Sequence, residues 1–300
     1  MPLGEVLAAE VLGAASPSAQ LREVLNYVYM AEAAFDWWAD GRRITVGMLC
    51  ELHRLLIEGT PADAGHTGRV REIQVMIGSR GGSIIDARFV PPPPGLDLEA
   101  GLQDLVDWVN SAEVRPRDPV VAAALAHYQF EALHPFHDGN GRIGRLLVVL
   151  QLMQDGVLND SLLSISPWFE ARRVEYQERL AEVSARGDWN GWVGFFATGL
   201  EASAIDTAMR VDALLDVQER HLTVLREAGA TGLARDVADS LIASPYVTVS
   251  AVVELTGKSF QAANNAVRKL VELGVLIECT GRTQGRVFEA RSVVAALTRP

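Results

Sequence analysis

The chain has 300 residues, which is room for two or three domains, and 22% of them are charged, which indicates a globular protein. Its formal net charge of −11 disfavours general binding of polyanions. Its two cysteines, Cys50 and Cys279, lie far apart and form no disulfide framework. Glu5 and Glu10 interrupt the first apolar stretch, which argues against a signal peptide, and no apolar run is long enough to span a membrane, so we expect a cytoplasmic protein.

Helices are predicted for most of the first 226 residues. Apolar spacing and cap residues, among them Thr45, predict helices over Leu21–Trp38, Val46–Glu58, Leu98–Asn110, Val120–Leu133, Pro167–Ala185 and Asn190–Leu200, with a further long helix to about Arg226. Two β-rich runs, Arg71–Gly78 and Ser83–Val90, flank a polar glycine-containing turn and predict one hairpin. We therefore expect a mainly α fold with a single hairpin in this part of the chain.

The run from His134 to Arg145 combines residue types that suit a phosphate site. It reads His-Pro-Phe-His-Asp-Gly-Asn-Gly-Arg-Ile-Gly-Arg and is followed by the apolar helical segment Leu146–Met153. A glycine-rich loop that opens into a helix directs free backbone N–H groups and the positive end of the helix dipole at an anion. Arg142 lies three residues before Arg145, so the two side chains share one helix face and can reach the same oxyanions.

Two further side chains in this run suggest chemistry on the bound phosphates. Asp138 supplies a hard oxygen ligand of the kind that Mg²⁺ prefers beside phosphates. His134 stands at the entrance of the loop as a candidate general base. The pattern predicts a phosphate site with a base beside it.

These residues resemble a known signature. The run matches the Fic-domain pattern His-Pro-Phe-x-Asp/Glu-Gly-Asn-Gly-Arg-x-x-Arg at every specified position, and the similarity extends to His127–Glu131, Gly68-Arg69, Arg71, Gln74, Ile77-Gly78 and Phe89–Pro94. The chain is thus identified as a member of the Fic family. The resemblance implies a helical bundle in which the hairpin forms a flap over the active-site cleft; we call Arg71–Val90 the flap.

The resemblance also implies a reaction, the transfer of AMP from ATP to a Tyr, Thr or Ser hydroxyl of a target protein or of the chain itself, with release of pyrophosphate. His134 would deprotonate the hydroxyl, and Asp138 would hold Mg²⁺ between the α- and β-phosphates. The remaining motif residues would bind phosphate oxygens: Gly139, Asn140 and Gly141 through the backbone, Asn140 also through its amide, Arg142 at the β-phosphate and Arg145 at the γ-phosphate. Such chemistry depends on positioning, on charge stabilisation and on the removal of one proton.

In the family, the edge of the flap accepts a segment of the target protein as an added strand. Met76, Ile77 and Ile84 are the candidate docking residues for a target. A hairpin that merely packs on the core is the alternative.

Three other interpretations of the motif region are weaker. His137 follows His134 by three residues, but Pro135 opposes a helical pair and no third soft ligand lies nearby, so a zinc site is disfavoured. His127 is expected to pack rather than to catalyse. The branch of this fold that phosphorylates its targets has a lysine where this chain keeps Gly141, which favours nucleotidyl transfer.

The last 70 residues differ from the rest in charge and pattern. From Thr231 onward the net charge is +2, against −13 for the preceding residues. A strand over Tyr246–Val249, a helix over Ser250–Leu255, a helix from the Ser259 cap to Leu273 and a final hairpin make an order that looks like a winged helix-turn-helix domain, small and of mixed α+β structure. We expect Phe260, Ala263, Val267 and Leu270 to form the buried stripe of its second helix.

The partner of this tail is open between two classes. Gln261, Asn264, Asn265 and Arg268 would face outward as a set that reads DNA bases. A net charge of only +2 is weak for DNA binding, however, and a protein-docking or homodimerising module is slightly favoured.

The inhibitory motif of many Fic proteins, Ser/Thr-x-x-x-Glu-Gly/Asn, has no full match in this sequence. Ser166–Glu170 matches in part but is followed by Ala171, and Glu58-Gly59 has Arg54 where Ser or Thr is required. We therefore expect a constitutively active chain. Two explanations stay open: a sequence that begins downstream of the motif, and inhibition by another protein or subunit.

The predicted organisation has four parts. An N-terminal helical segment takes residues 1–44, a Fic catalytic core 45–200, a connecting helix 201–230 and the winged helix 231–300. The alternative to an adenylyltransferase is a DNA-binding regulator whose Fic fold only senses a nucleotide. The intact His134, Asp138 and both arginines favour the enzyme, because a sensor needs no general base.

Overall fold

The computed structural model describes residues 18–63, 65–78, 85, 87–111, 118–283 and 285–298. The chain divides into two compact units: residues 22–205 form the first, and the residues from 206 onward, grouped with the described residues before 22, form the second. Each unit is described by itself below.

Helices make up most of the first unit. In chain order their bounds are α1 Ala19–Ala39, α2 Val46–Ile57, α3 Leu96–Asn110, α4 Pro119–Leu133, α5 Asn140–Gln154, α6 Ser166–Ala171, α7 Arg173–Arg186 and α8 Trp189–Glu227, the last of which runs on past residue 205. The Thr45 hydroxyl accepts a hydrogen bond from Met48 N–H, which confirms the predicted cap of α2. Asp118 caps α4 in the same way, ahead of Pro119 in the first turn.

Helices α4 and α5 form the centre of this unit. Their facing sides contribute to two apolar clusters, one shared with α2 and α3 and the other with α6, α7 and α8. Ala123 and Ala124 are fully buried against Val148 and Leu152, so short side chains on α4 let the two helices approach closely. The motif loop joins these two buried helices, which holds both of its ends rigidly.

The flap has less strand structure than the sequence pattern predicts. Its described residues form a single antiparallel bridge between Ile77 and Phe89, in which Ile77 N–H donates to Phe89 O at 2.9 Å and Phe89 N–H to Ile77 O at 3.2 Å. The prediction for Ile84 falls outside the described residues. The two runs do pair antiparallel at this bridge, but their remaining described residues form no strand ladder.

Two predicted helix boundaries are wrong. The segment predicted as Pro167–Ala185 is two helices, because Arg172 leaves the helical region with φ −116° and ψ 28°. The two helices predicted between Asn190 and Arg226 are one helix of 39 residues, α8. The break at Arg172 has no local signal, since no glycine or proline stands there, whereas α8 continues through Gly199, the residue before Leu200.

The second unit combines short helices with a small sheet. After the end of α8 it contains α9 Leu233–Ser240, β1 Tyr246–Thr248, α10 Val249–Thr256, α11 Phe260–Glu272, β2 Ile277–Glu278, β3 Val287–Glu289 and α12 Arg291–Leu297. The antiparallel sheet has the order β1-β3-β2, with Val247 opposite Phe288 and Glu278 also opposite Phe288. The winged-helix assignment stays a prediction.

The stripe of α11 is buried as expected except at its first residue. Ala263, Val267 and Leu270 lie in the core of the second unit, but Phe260 is 62% exposed. The expectation for Phe260 is therefore wrong. As the first helical residue it projects beyond the elements against which the rest of the stripe packs, so periodicity alone overstates its burial.

None of the helices in the described ranges combines the length and the apolar character that a membrane crossing requires.

Candidate active site

The motif loop begins with a strained residue. His134 is the C-cap of α4 and adopts φ 48°, and among the described residues it is the one non-glycine residue with positive φ. A left-handed conformation costs a residue with a Cβ about 1–2 kcal/mol, so other contacts must hold it in place. Its N–H donates to Phe130 O, which closes the last turn of α4.

Arg71 supplies those contacts. This arginine is 1% exposed, and its guanidinium donates to His134 O at 2.8 Å, to Leu133 O at 3.4 Å, and to Pro92 O and Ile73 O. Burial lowers the pKa of Arg71, but an arginine remains charged at any physiological pH. The first residue of the flap thereby clamps the backbone on which the candidate base sits.

A side-chain pair closes the loop on itself. The Asn140 amide accepts from Phe136 N–H at 2.9 Å and donates to Phe136 O at 2.8 Å, and Asn140 is 2% exposed. The Phe136 ring in turn stacks on His53, with centroids 4.2 Å apart. The Asn140 amide is thus engaged in closing the loop at the start of α5, and its help in binding phosphate stays a prediction.

Gly139 sets the direction in which α5 begins. It has φ +81°, and a Cβ there would lie 2.8 Å from a Leu56 methyl group, so any side chain is excluded. Asn140 and Gly141 are the first two helical residues, and their N–H groups donate to no acceptor among the described residues. They are the backbone donors that an anion at the helix N-terminus would receive.

The charged motif residues meet in one cavity of about 1040 Å³. Arg142 donates to the Asp138 carboxylate at 3.3 Å, and Arg145 donates through Nε to Ser166 Oγ at 3.0 Å. The structure thus brings together all the predicted motif positions on one wall, which is formed by His134, Asp138, Gly139, Asn140, Gly141, Arg142 and Arg145. Sequence reasoning did not assign Ser166 a role in this site, because it follows Arg145 by 21 residues.

Burial determines the charge of His134. It lowers the pKa of the imidazole to about 4, an effect that Arg71 increases and that the backbone of Glu131 and the charge of Asp138 oppose. The ring is therefore neutral near pH 7. Its Nδ1 is buried without a hydrogen-bond partner among the described residues, which leaves Nε2 as the nitrogen that can accept a proton in the cavity.

A second titratable group lies behind the base. Burial raises the pKa of the Glu131 carboxyl to about 7, against the opposing effects of Arg145 and the Tyr176 hydroxyl. Its Oε2 is 4.0 Å from His134 Nδ1. A glutamate three residues before the motif has no distinguishing local pattern, so Glu131 stands out only through the resemblance to the family.

A divalent cation fits this site if a polyphosphate supplies some of its ligands. Asp138 is half exposed, faces the cavity and offers carboxylate oxygens, but the described residues contain no cluster of three carboxylate, histidine or cysteine ligands. Mg²⁺ commonly binds through one or two carboxylates together with substrate phosphates and water. The donor set therefore suits Mg²⁺ that arrives with a polyphosphate.

The described flap residues reach the same cavity. Met76, Ile77, Arg88 and Phe89 line it together with the motif residues. Arg88 also forms a 3.2 Å ion pair with Glu178 on α7. Both candidate docking residues that the structure describes are thus beside the cavity.

The two other motif-region histidines differ in position, since His137 lines the cavity and His127 does not. His127 is 1% exposed, its Nε2 is 2.8 Å from the Tyr176 hydroxyl, and burial lowers its pKa to about 3, which confirms it as a packing residue. His137 contacts the His66 ring at a centroid distance of 4.5 Å. No metal-binding cluster includes either of them within the described ranges.

The candidate DNA contacts lie on α11 in the second unit, and their exposure is uneven. Gln261, Asn265 and Arg268 are exposed, whereas Asn264 is half-buried. Gln261 donates to Asn265 at 3.3 Å, and Arg268 lies 3.8 Å from Glu272. This set is therefore partly engaged with itself, and its role stays a prediction.

Comparison with known proteins places this site in a family. Residues 43–152 match the model of the Fic/DOC family. The chain is 32% identical over 209 residues to protein adenylyltransferase fic-1 of Caenorhabditis elegans, a match that covers 68% of this chain and 37% of the relative. It is 41% identical over 113 residues to protein adenylyltransferase Fic of Drosophila willistoni, covering 38% of this chain and 20% of the relative. The matches thus span about a third or less of these curated relatives.

Solved structures agree on the fold. A Fic family protein from Desulfovibrio desulfuricans G20 superposes with a TM-score of 0.54 at 23% identity, covering 95% of this chain and 80% of that one. Fic-1 from C. elegans superposes with a TM-score of 0.50 at 27% identity, covering 69% of this chain and 58% of that one. Through residues 43–152, which hold the whole motif, the chain belongs to the Fic/DOC family.

Proposed function

We propose that the chain is a protein adenylyltransferase, which transfers AMP from ATP to a Tyr, Thr or Ser hydroxyl of a target protein or of itself. The observation that supports this most is the convergence of a neutral, buried histidine and two arginines on one cavity at the N-terminus of α5. The relatives from C. elegans and D. willistoni are named as adenylyltransferases, which supports the same reaction.

The side chains divide the reaction between them. His134 Nε2 accepts the proton of the target hydroxyl. The hydroxyl oxygen then forms a bond to the α-phosphorus while the bond to the bridging oxygen of pyrophosphate breaks. The N–H groups of Asn140 and Gly141 and the guanidinium groups of Arg142 and Arg145 receive the phosphate oxygens.

Asp138 holds Mg²⁺ in this proposal. The ion, when bound, neutralises charge on the phosphates. Because Asp138 is 3.3 Å from Arg142, its carboxylate is directed along the phosphate-binding face of α5. Met76 and Ile77 dock the target segment beside the cavity, together with Ile84 from the undescribed part of the flap.

The first test is transfer of label from α-labelled ATP to protein, in wild type and in His134→Ala. We expect the variant to lose at least about a hundredfold in rate, because a general base contributes that much, and to keep its affinity for MgATP. A nucleotide-sensing regulator needs no base. Equal labelling by both proteins, or none by wild type with any lysate or with itself, would contradict the proposal.

The remaining assignments belong to the same proposal. The second unit acts as a winged helix that docks a protein or a second copy of the chain, with DNA as the alternative partner. The chain works in the cytoplasm and does not engage a membrane.

A further inference from the structure

Glu131 lies between the candidate base and a phosphate-binding arginine. Its Oε2 is 4.0 Å from Nδ1 of His134. Both Nδ1 and the other carboxyl oxygen, Oε1, are buried without a hydrogen-bond partner among the described residues. Nδ1 is thus without a partner in the described part of the chain while Oε2 lies 4.0 Å away, and a small side-chain shift turns this approach into a hydrogen bond that removes the cost of an unpaired buried nitrogen.

Helix α5 leaves room for this carboxyl. A Cβ at Gly144 would lie 2.9 Å from Glu131 Oε1, and a Cβ at Gly141 would lie 3.8 Å from the same oxygen and 3.1 Å from a terminal nitrogen of Arg145. The two glycines are three residues apart and leave one face of the helix without side chains; we call this the bare face. The carboxyl and the Arg145 guanidinium approach each other over that bare face.

We propose that Glu131 is a positioning residue of the active site, whose carboxylate orients His134 through Nδ1–H and offsets the charge that the imidazole acquires when it takes up the proton of the target hydroxyl. The inference rests on the proposed adenylyl transfer. Fixing the proton on Nδ1 leaves the lone pair on Nε2, where the hydroxyl must bind.

The groups around Glu131 determine when the carboxylate is present. Arg145 faces it from α5, Tyr176 from α7, and His127 and His134 from its own helix and the loop that follows. With a pKa of about 7, the carboxyl loses its proton as the pH rises through neutrality. The active form requires the carboxylate, so the pH–rate profile has a rising limb near pH 7. His134, with a pKa of about 4, causes no change in rate in this range.

The test compares Glu131→Gln with wild type in label transfer across the neutral pH range. We expect kcat to fall about tenfold or more and the limb near pH 7 to disappear, while KM for ATP changes less than about threefold. If Glu131 were only structural, kcat would fall and the limb would remain. That result would overturn the inference.

A second variant tests the geometry without removing the carboxyl. Gly144→Ala places a methyl group 2.9 Å from Oε1, and 3.1 Å from His127 Cε1 and Phe130 Cδ1, and should displace the carboxyl, lowering kcat by a similar factor; denaturant unfolding of the variant measures any loss of helix packing separately. Gly194→Ala is the matched control, because that helical glycine has open space within 4 Å. Full activity in Gly144→Ala, or an equal loss in the control, would contradict the role of the bare helix face.

A measurement without catalysis separates this inference from the proposed function. Nitrogen NMR of His134 in the ATP-free protein reports which ring nitrogen holds the proton. We expect the Nδ1–H form in wild type and a mixture in Glu131→Gln. If that change occurs but wild type transfers no label, only the adenylyl transfer fails; if transfer holds and the tautomer is unchanged, the role of Glu131 fails.

Discussion

At the scale of single residues, the candidate active site depends on the buried guanidinium of Arg71, which does not line the cavity of the motif residues. Arg71 donates to backbone carbonyl groups on both sides of the motif entrance, including that of the strained His134. A buried guanidinium that satisfies several carbonyls is costly to remove, since each acceptor is left without a partner. This contact explains why a residue 63 positions before the base is part of the same machinery.

Arg71→Met is therefore expected to lower the free energy of unfolding by on the order of 3 kcal/mol and to reduce label transfer, because His134 loses the contact that holds its left-handed conformation. Denaturant unfolding and the labelling rate measure the two effects. Arg69→Met is the matched control, since Arg69 is exposed, and it should change stability by less than about 0.5 kcal/mol. Equal stability of the two variants would refute the clamp.

At the scale of elements, the start of α5 decides where an anion can bind. The helix begins at Asn140 rather than nearer Leu146, so the N–H groups of its first turn point into the cavity from within the motif. Gly139 makes this possible because only glycine fits both its positive φ and its contact with Leu56.

Gly139→Ala should weaken MgATP binding about tenfold or more, because the added methyl group must push the first turn away from Leu56. Gly187→Ala separates strain from displacement. It has a similar φ of +70° with open space around it, and should lose about 1 kcal/mol of stability without loss of ATP affinity. Calorimetric titration with MgATP measures the affinities, and a similar loss in both variants would show that strain alone matters.

At the scale of the whole molecule, buried histidines tie stability to pH. Burial lowers the pKa of His53 and His134 to about 4 and that of His127 to about 3, so in the native state all three are neutral where an unfolded chain, with values near 6.5, is protonated. Glu131 acts in the opposite sense, because its pKa is raised from 4.5 to about 7. Between about pH 4.5 and 5.5 the unfolded state thus binds about two more protons than the native state, three on the histidines less one on Glu131, and the difference becomes smaller towards pH 6.5.

We expect the unit at residues 22–205 to lose up to about 3 kcal/mol of stability for each pH unit of acidification in this window. Denaturant unfolding at several pH values checks the slope. His127→Gln should flatten it by about one proton, or about 1.4 kcal/mol per pH unit. Stability that is constant or increasing as the pH falls from 6.5 to 4.5 would contradict the neutral state of these histidines.

The sequence alone determined the features that depend on neighbours a few residues apart. The motif spacing predicted a phosphate site, and apolar periodicity with the caps Thr45 and Ser259 predicted helices α2 and α11, which the structure confirms. Cap bonds and helix faces are local, so a short stretch contains all the information for them. The break at Arg172 and the exposure of Phe260 were missed because each depends on what packs nearby.

Only the tertiary structure decided how the motif is supported and charged. It brought Arg71 to the backbone of His134, Ser166 to Arg145, and Glu131 into the space that Gly144 leaves open. It also showed that His134 is neutral, because a pKa shift depends on burial and on charges from distant segments. Sequence spacing identified the groups that we propose to meet the nucleotide, and the fold alone identified the residues that hold those groups in position.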